Sequence, residues 1–298
     1  MSLKIYKFQF FFFLFSFLFL SSEIRASHIM GADLSYTCLG NNQYRVTLRL
    51  YRDCCGIPVS TTDVIQVYNG CTGTSSSVTV TQVPGSGQEV SELCPSQLSQ
   101  STCANSNNCP ANPAASPPTY PGVQVYIYQA TVTLSSQCNQ WYFRYSRCCR
   151  NNAINNIAAG GGSTGLGIQA LVNTPNNPAT GQPYCNSSVQ FSTLPVPLVC
   201  LNENFTYNNG AVDPNGDSLS YTLIAPLNDS YAPIAFSGGW SANNPVRTNP
   251  PSNFQFDTHT GQLSFTPPYQ EVEVLAIQVN EYRNGVLVGT TIRDIQVS

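Results

Sequence analysis

After Lys7 the sequence contains no lysine. That excludes a Schiff-base lysine, a P-loop lysine and a Lys–Asn isopeptide cross-link, all of which need the ε-amine. Histidine is nearly as scarce, with His28 and His259 alone. His259 sits in FDTHTGQL beside Asp257 and Thr258, and side chains so close in sequence do not form a triad. No G-x-S-x-G elbow is present either. His28 could take part in copper binding only through a free N-terminus. Charge is sparse, 9% of residues, and beyond residue 26 nine arginines face fourteen acids, a net charge of 9 − 14 = −5. A basic footprint for nucleic acid is therefore missing. Beyond residue 26 there is no long apolar run and no sustained 3.6-residue apolar period, so strands rather than helices are expected. GGGSTG (160–165) matches a glycine-rich dinucleotide fingerprint in letters only. A strand-like LGIQALV leaves it where a helix is required, so it reads as a loop.

What is present begins with an export signal. Lys4 and Lys7 precede the apolar stretch FQFFFFLFSFLFL (8–20), and SSEIRA ends at Ala26. This is the pattern of a secretory signal peptide over 1–26, too short for a comfortable membrane span. No cysteine lies at the expected cleavage site, which speaks against a lipoprotein anchor. The sequence therefore predicts a secreted or cell-surface chain without a membrane span after cleavage. Residues 27–298 number 298 − 26 = 272, enough for two domains. Their surface is supplied by Ser, Thr, Asn, Gln, Gly and Pro, and β-branched and aromatic residues are plentiful, the composition of an extracellular β protein.

Strand patterns fill both parts. ADLSYTCL and QYRVTLRLYRDC flank the turn GNN, and SVTVTQV (77–83), VQVYIYQATVTL (123–134) and QWYFRYSRC (140–148) follow. The Pro- and Asn-rich stretch 103–122 reads as a long loop, and NNAINNIAA (151–159) is the one place where a short helical turn is allowed. A boundary falls within TPNNPATGQPYCNSS, giving a Cys-rich β domain over 27–174 and a second domain over 175–298. The second part holds about seven short strands and an Asn284–Gly285 hairpin turn, which suggests an immunoglobulin-like sandwich. The fold class expected is all-β: a disulfide-rich, sandwich-like domain followed by an immunoglobulin- or cadherin-like sandwich. The stop at Ser298, directly after a strand, reads as a cut between domains of a longer chain.

Twelve cysteines stand at 38, 54, 55, 71, 94, 103, 109, 138, 148, 149, 185 and 200. An even count in an exported chain reads as a disulfide framework whose connectivity the sequence does not give. A thiolate zinc site or a redox pair would show C-x-x-C spacing, and none occurs. YRDCCGI (51–57) and YSRCCRNN (145–152) each place two adjacent cysteines at a strand end. Successive side chains of an extended chain point to opposite faces, so each pair can staple two neighbours. A bond inside a pair is disfavoured, because Cα atoms about 3.8 Å apart across a trans peptide are closer than disulfides usually allow. Cys185 and Cys200 are expected to pair, Cys103 and Cys109 could close the start of the long loop, and one bond could join the two Cys-Cys steps.

VDPNGDSLSYTL (212–223) sets Asp213, Asn215 and Asp217 at alternate positions of a tight turn. Such oxygens suit calcium, which needs about six to eight, so Glu203, Asp257 and Glu281 are the candidate additional ligands. The plainer reading is an Asx-stabilised turn. Asn186, Asn204 and Asn228 each begin an N-x-[ST] pattern, which would mark surface positions in a eukaryotic secreted protein and reads as plain loop residues in a bacterial one.

AVDPNGDSLSYTL, FQFDTHTGQLSFTP, VNEYRNG and RDIQV resemble the cadherin-like and PKD-like immunoglobulin-fold modules of bacterial surface proteins. Those modules commonly carry Asp at the late acidic position, where this chain has Glu281, four residues before Gly285. SHIMGADLSYTCLGNNQYRVTLRLYRDCCGI and SRCCRNNAINNI resemble the N-terminal region of large secreted Bacteroidetes proteins of the gliding-motility-associated, type IX secretion kind. The resemblance implies a non-enzymatic, structural or adhesive module of a cell surface, rigidified by disulfides and calcium, with a surface glycan or protein as its ligand. The rival is a carbohydrate-binding module, for which Trp141, Trp240 and the many tyrosines offer stacking platforms, against the plainer reading of aromatic core.

Overall fold

Two short turns built on asparagine frame the fold. Asn41 and Asn42 hold φ of 50° and 57°, and Asn284 and Gly285 hold 53° and 79°, the left-handed conformations that a tight hairpin needs. The computed structural model describes residues 29–109, 120–177, 180–195, 198–251 and 253–298. The signal-like segment 1–26 and His28 lie outside the described residues.

Sixteen strands follow in order: β1 (Ile29–Gly40), β2 (Gln43–Asp53), β3 (Thr62–Asn69), β4 (Thr74–Gln82), β5 (Gln88–Glu89), β6 (Val123–Thr133), β7 (Trp141–Arg147), β8 (Leu166–Val172), β9 (Gln190–Phe191), β10 (Phe205–Tyr207), β11 (Ala211–Val212), β12 (Ser218–Ile224), β13 (Gln255–Phe256), β14 (Leu263–Phe265), β15 (Glu273–Arg283) and β16 (Val286–Val297). The chain is all-β and sandwich-like. The main sheet runs β1-β2-β6-β4-β3-β7-β8-β16-β15-β12, with β5 beside β6. Its path closes on itself, because β16 pairs with β8 through Gly289–Thr291 and with β1 at Asp294. The last strand thus fills the gap between the first strand and the eighth. Closure covers part of each edge, with one residue pair on β1 and three on β8, and Ser188 and Ser187 bond to Tyr36 and Cys38 further along β1, which shortens the edge open to unwanted strand addition.

Two hydrophobic clusters lie on either side of the expected boundary. The first takes inward residues of β1, β2, β3, β6, β7 and β8, among them Leu34, Leu48, Ile65, Phe143 and Ile168. Rings of Tyr36 and Tyr44 pack against Phe143 at 5.7 and 6.1 Å between centroids, joining facing layers. The second takes Tyr221, Leu223, Leu275, Ile277 and Ile295 from the main sheet and Tyr207, Leu263 and Phe265 from the small sheet β10-β14-β13. Residues 184–189 are tied down between the two. Tyr184, Asn186, Ser188 and Val189 are buried, and Ser188 exchanges hydrogen bonds with the backbone of Tyr36.

The helical turn allowed over 151–159 does not form. Ile154 bridges Val272 and Ile157 bridges Phe236 instead. The cause is Asn156, which is fully buried. Its Nδ2 donates to the carbonyls of Pro245 and Val274, and its Oδ1 accepts from the N–H of Val274. Such a side chain takes the place of a ladder and holds the segment extended.

Five disulfides link Cys38–Cys185, Cys54–Cys103, Cys55–Cys109, Cys71–Cys138 and Cys148–Cys149. The first Cys-Cys step staples two neighbours, since Cys54 and Cys55 reach Cys103 and Cys109 on one loop. Three pairings expected from the sequence are corrected. Cys185 bonds to Cys38 rather than Cys200, because Ser187 and Ser188 dock their hydroxyls on the N–H groups of Cys38 and Tyr36. Cys103 and Cys109 do not bond to each other. Cys148 and Cys149 bond to each other rather than to the first step. That bond spans a cis peptide, in which the two side chains lie on one side, whereas in the extended chain assumed from the sequence they point to opposite faces. Cys94 and Cys200 are exposed and stand outside these five bonds.

Candidate functional site

Where the halves meet, β16 carries Arg293 and Asp294 side by side, and the pleat sends them to opposite faces. Arg293 Nε lies 2.9 Å from Asp33 Oδ1 on β1, with both side chains buried. Tyr51 donates to the other oxygen of Asp33, and Arg293 also donates to the Thr193 and Asn209 carbonyls. Burial, then the neighbouring Asp33 carboxylate, pushes the Tyr51 hydroxyl far above its ordinary range. On the other face Asp294 accepts two bonds from Arg150, at 2.7 and 2.8 Å. Arg150 also donates to the carbonyls of Gly165 and Leu227. The two ion pairs are fully hydrogen-bonded, the condition under which buried charge is tolerated. These four residues were not singled out in the sequence. The signal was there: a charged Arg-Asp step inside the otherwise apolar strand VLVGTTIRDIQV.

The VDPNGD turn docks on the same seam. Asp213 Oδ1 accepts from the N–H groups of Asn215 and Asp217, an Asx turn. Asn215 Oδ1 accepts from Ser187 N–H. Both oxygens of Asp217 receive the Arg283 guanidinium at 2.6 Å. Glu281 is fully buried and accepts from Val189 N–H and from Asn186 Nδ2. Its side chain lies over Gly289, its cross-strand partner, where an added Cβ would sit 1.8 Å from Oε2. Burial raises the Glu281 pKa to about 8, helped by the nearby carboxylates of Asp213 and Asp217 and opposed by its hydrogen bonds. Asn186, named from the sequence as a surface position, is instead buried as the bridge between Glu281 and Arg283.

Of the six calcium candidates, Asp213, Asn215, Asp217 and Glu281 are thus neighbours at one corner. Glu203 is exposed in the turn before β10. Asp257 forms its own Asx turn, where the N–H of His259 and contacts from Thr260 hold its carboxyl below the usual range. His259 is exposed, with Nδ1 3.5 Å from Asp257 Oδ1. Among the described residues no three His, Cys, Asp or Glu side chains converge in a way that could hold a metal ion. The positive charge at the corner comes from Arg283. Asp213 Oδ2, buried without a protein hydrogen bond, is the one carboxylate oxygen there left unengaged.

The aromatic candidates divide. Trp141 is buried in the first core, its indole N–H on the Ser136 carbonyl. Trp240 is half-buried, donates to Glu273 at 2.7 Å and lies under the Arg247 guanidinium at 4.3 Å. Neither presents a bare stacking face. The exposed ring is Tyr269, 61% accessible, at a groove of about 710 Å³ lined also by Met30, Asn151, Arg247, Glu271 and Gln296. Arg247 pairs with Glu271 at 3.1 Å beside it. Burial raises the Glu273 carboxyl at the groove floor to about 7, against the lowering effect of its bonds from Trp240 and the Arg247 N–H.

No protein-family model matches the chain, and no curated protein matches it.

Proposed function

We propose that the chain is a non-enzymatic structural or adhesive element of a bacterial cell surface, exported and working as a stiff unit. The supporting observation is the closed main sheet, in which β16 joins the halves by strand pairing and two buried ion pairs. The five disulfides fit an oxidising, extracellular location, and among the described residues no helix is long and apolar enough to cross a membrane. The resemblance to gliding-motility-associated Bacteroidetes proteins and to cadherin-like modules supports the same reading. A role for calcium at the VDPNGD corner is a separate proposal, and identical unfolding curves in EDTA and in millimolar calcium would withdraw it. Antibody labelling of intact producing cells tests the main reading. Amine-reactive labels find no side-chain target beyond Lys7, because no lysine follows it. Surface labelling together with retention of the five bonds is expected. A chain found inside the cell with its thiols reduced would sink the proposal.

A second reading, carbohydrate binding, rests on the exposed Tyr269 ring beside the Arg247–Glu271 pair. Aromatic faces flanked by charged and amide groups suit sugar rings. A glycan array is the test. Binding that Tyr269→Ala lowers at least about 10-fold, roughly 1.4 kcal/mol, favours this reading. No binding to any glycan would end it.

A further inference from the structure

Ten of the twelve cysteines are paired, and the remaining two, Cys94 and Cys200, are both exposed and belong to opposite halves. The segments carrying them run alongside each other. Val90 and Leu194 pack into one small apolar cluster with Met30, Tyr51 and Val123. Two residues on, the Glu92 carboxylate accepts from the backbone N–H of Leu198. Next, Leu93 from one segment and Val199 and Leu201 from the other line the same groove. The contacts advance in the same direction along both segments. Cys94 and Cys200 each stand two positions beyond the Glu92–Leu198 contact.

We propose that Cys94 and Cys200 form a sixth disulfide, a staple across the seam at the rim of the groove. The inference rests on the exported reading, since the bond needs an oxidising compartment. The oxidant is a protein or small-molecule disulfide of the class that forms the other five bonds. In the exchange, one thiolate attacks the oxidant's sulfur to give a mixed disulfide. The second thiolate then displaces the carrier, so the two cysteines lose two electrons and two protons and the oxidant becomes a dithiol. Exposure gives the oxidant access to both sulfurs. Both residues sit at the start of turns, where the Cys94 and Cys200 carbonyls accept from the N–H groups of Gln97 and Glu203, so the sulfurs meet by movement of turns and not of a strand.

The test is peptide mapping of the exported chain, purified without reductant, denatured and alkylated. The expected result is no alkylated cysteine and a cross-linked peptide joining Cys94 to Cys200. The Cys200→Ser variant should then expose a single reactive thiol at Cys94, where the parent has none. Two alkylated thiols at Cys94 and Cys200, with the other five bonds intact, would overturn the staple while leaving the exported reading standing. Covalent dimers through either cysteine would overturn it as well. Alkylation of all twelve would defeat the exported reading and the staple together.

Discussion

Asp294 shows how much rests on a single side chain. It neutralises Arg150, whose guanidinium is as buried as the carboxylate itself. Removing one partner leaves the other charge stranded in the interior, which costs about 3–5 kcal/mol. Asp294→Ala is therefore expected to lower the urea unfolding free energy by that amount. Replacing both Arg150 and Asp294 by apolar residues should cost clearly less than the sum of the single changes. Glu273 gives a prediction of opposite character. Its folded pKa of about 7 lies above the ordinary value of 4.5, so the folded state holds its proton more tightly than the unfolded one. Stability from this group is complete below about pH 4.5 and is lost as pH rises to about 7. The melting temperature should fall across that window, and Trp240 fluorescence should titrate near 7, since its indole N–H donates to the same carboxylate. Glu273→Gln should abolish the fluorescence step, with Trp141 emission left unchanged, and should lessen the fall in melting temperature, the remainder belonging to Glu281, whose carboxyl is raised to about 8. A fluorescence step that survives in Glu273→Gln would show that another group titrates. Neither Asp294 nor Glu273 was singled out in the sequence: the Arg-Asp step inside β16 marked the first, but nothing in EVEVLAIQV marked Glu273 as the buried one. The VDPNGD corner was legible as a turn. Its pairing with Arg283 was not, because that contact spans 66 residues.

At the scale of the element, β16 is the part to test. Its partners Asp33 and Arg150 both lie within 27–174, as do the strands β1 and β8 that it joins. The segment 27–174 expressed alone should therefore keep two open strand edges and self-associate. A synthetic peptide of residues 286–297 should bind it and raise its melting temperature, and the same peptide with Asp294→Ala should bind at least about 10-fold more weakly, roughly 1.4 kcal/mol. A monomeric 27–174 that melts identically with and without the peptide would show that closure contributes little. The strands themselves could be read from alternation, and both asparagine hairpin turns could be read from their letters. Closure could not. The pattern of β16 announces burial on both faces without naming the neighbours, because register is fixed by what the other strands leave uncovered.

Over the whole molecule the covalent constraints are lopsided. Each of the five disulfides has at least one cysteine in 27–174, and of these only Cys38–Cys185 reaches beyond it. A native disulfide contributes about 2–4 kcal/mol, chiefly by restricting the unfolded chain. Reduction should therefore strip hydrogen-exchange protection from β1–β8 far more than from β12 and β15. Uniform loss across both halves would mean that the seam couples them too tightly for local loosening. That the cysteines are staples followed from their even number and the export signal. Which cysteine meets which did not, because spacing in sequence says nothing about distance in a closed sheet.

The closing strand also has a consequence in time. Asp33 must wait for Arg293, 260 residues later, before its charge is matched. Synthesis delivers Arg293 long after Asp33, and contacts so far apart in sequence form slowly. Until then the early strands carry an unfilled gap and two uncompensated charges, so a nascent chain has no finished barrel-like body to resist being pulled through a narrow pore. Closure becomes an event that must wait for β16, on whichever side of the pore that strand emerges.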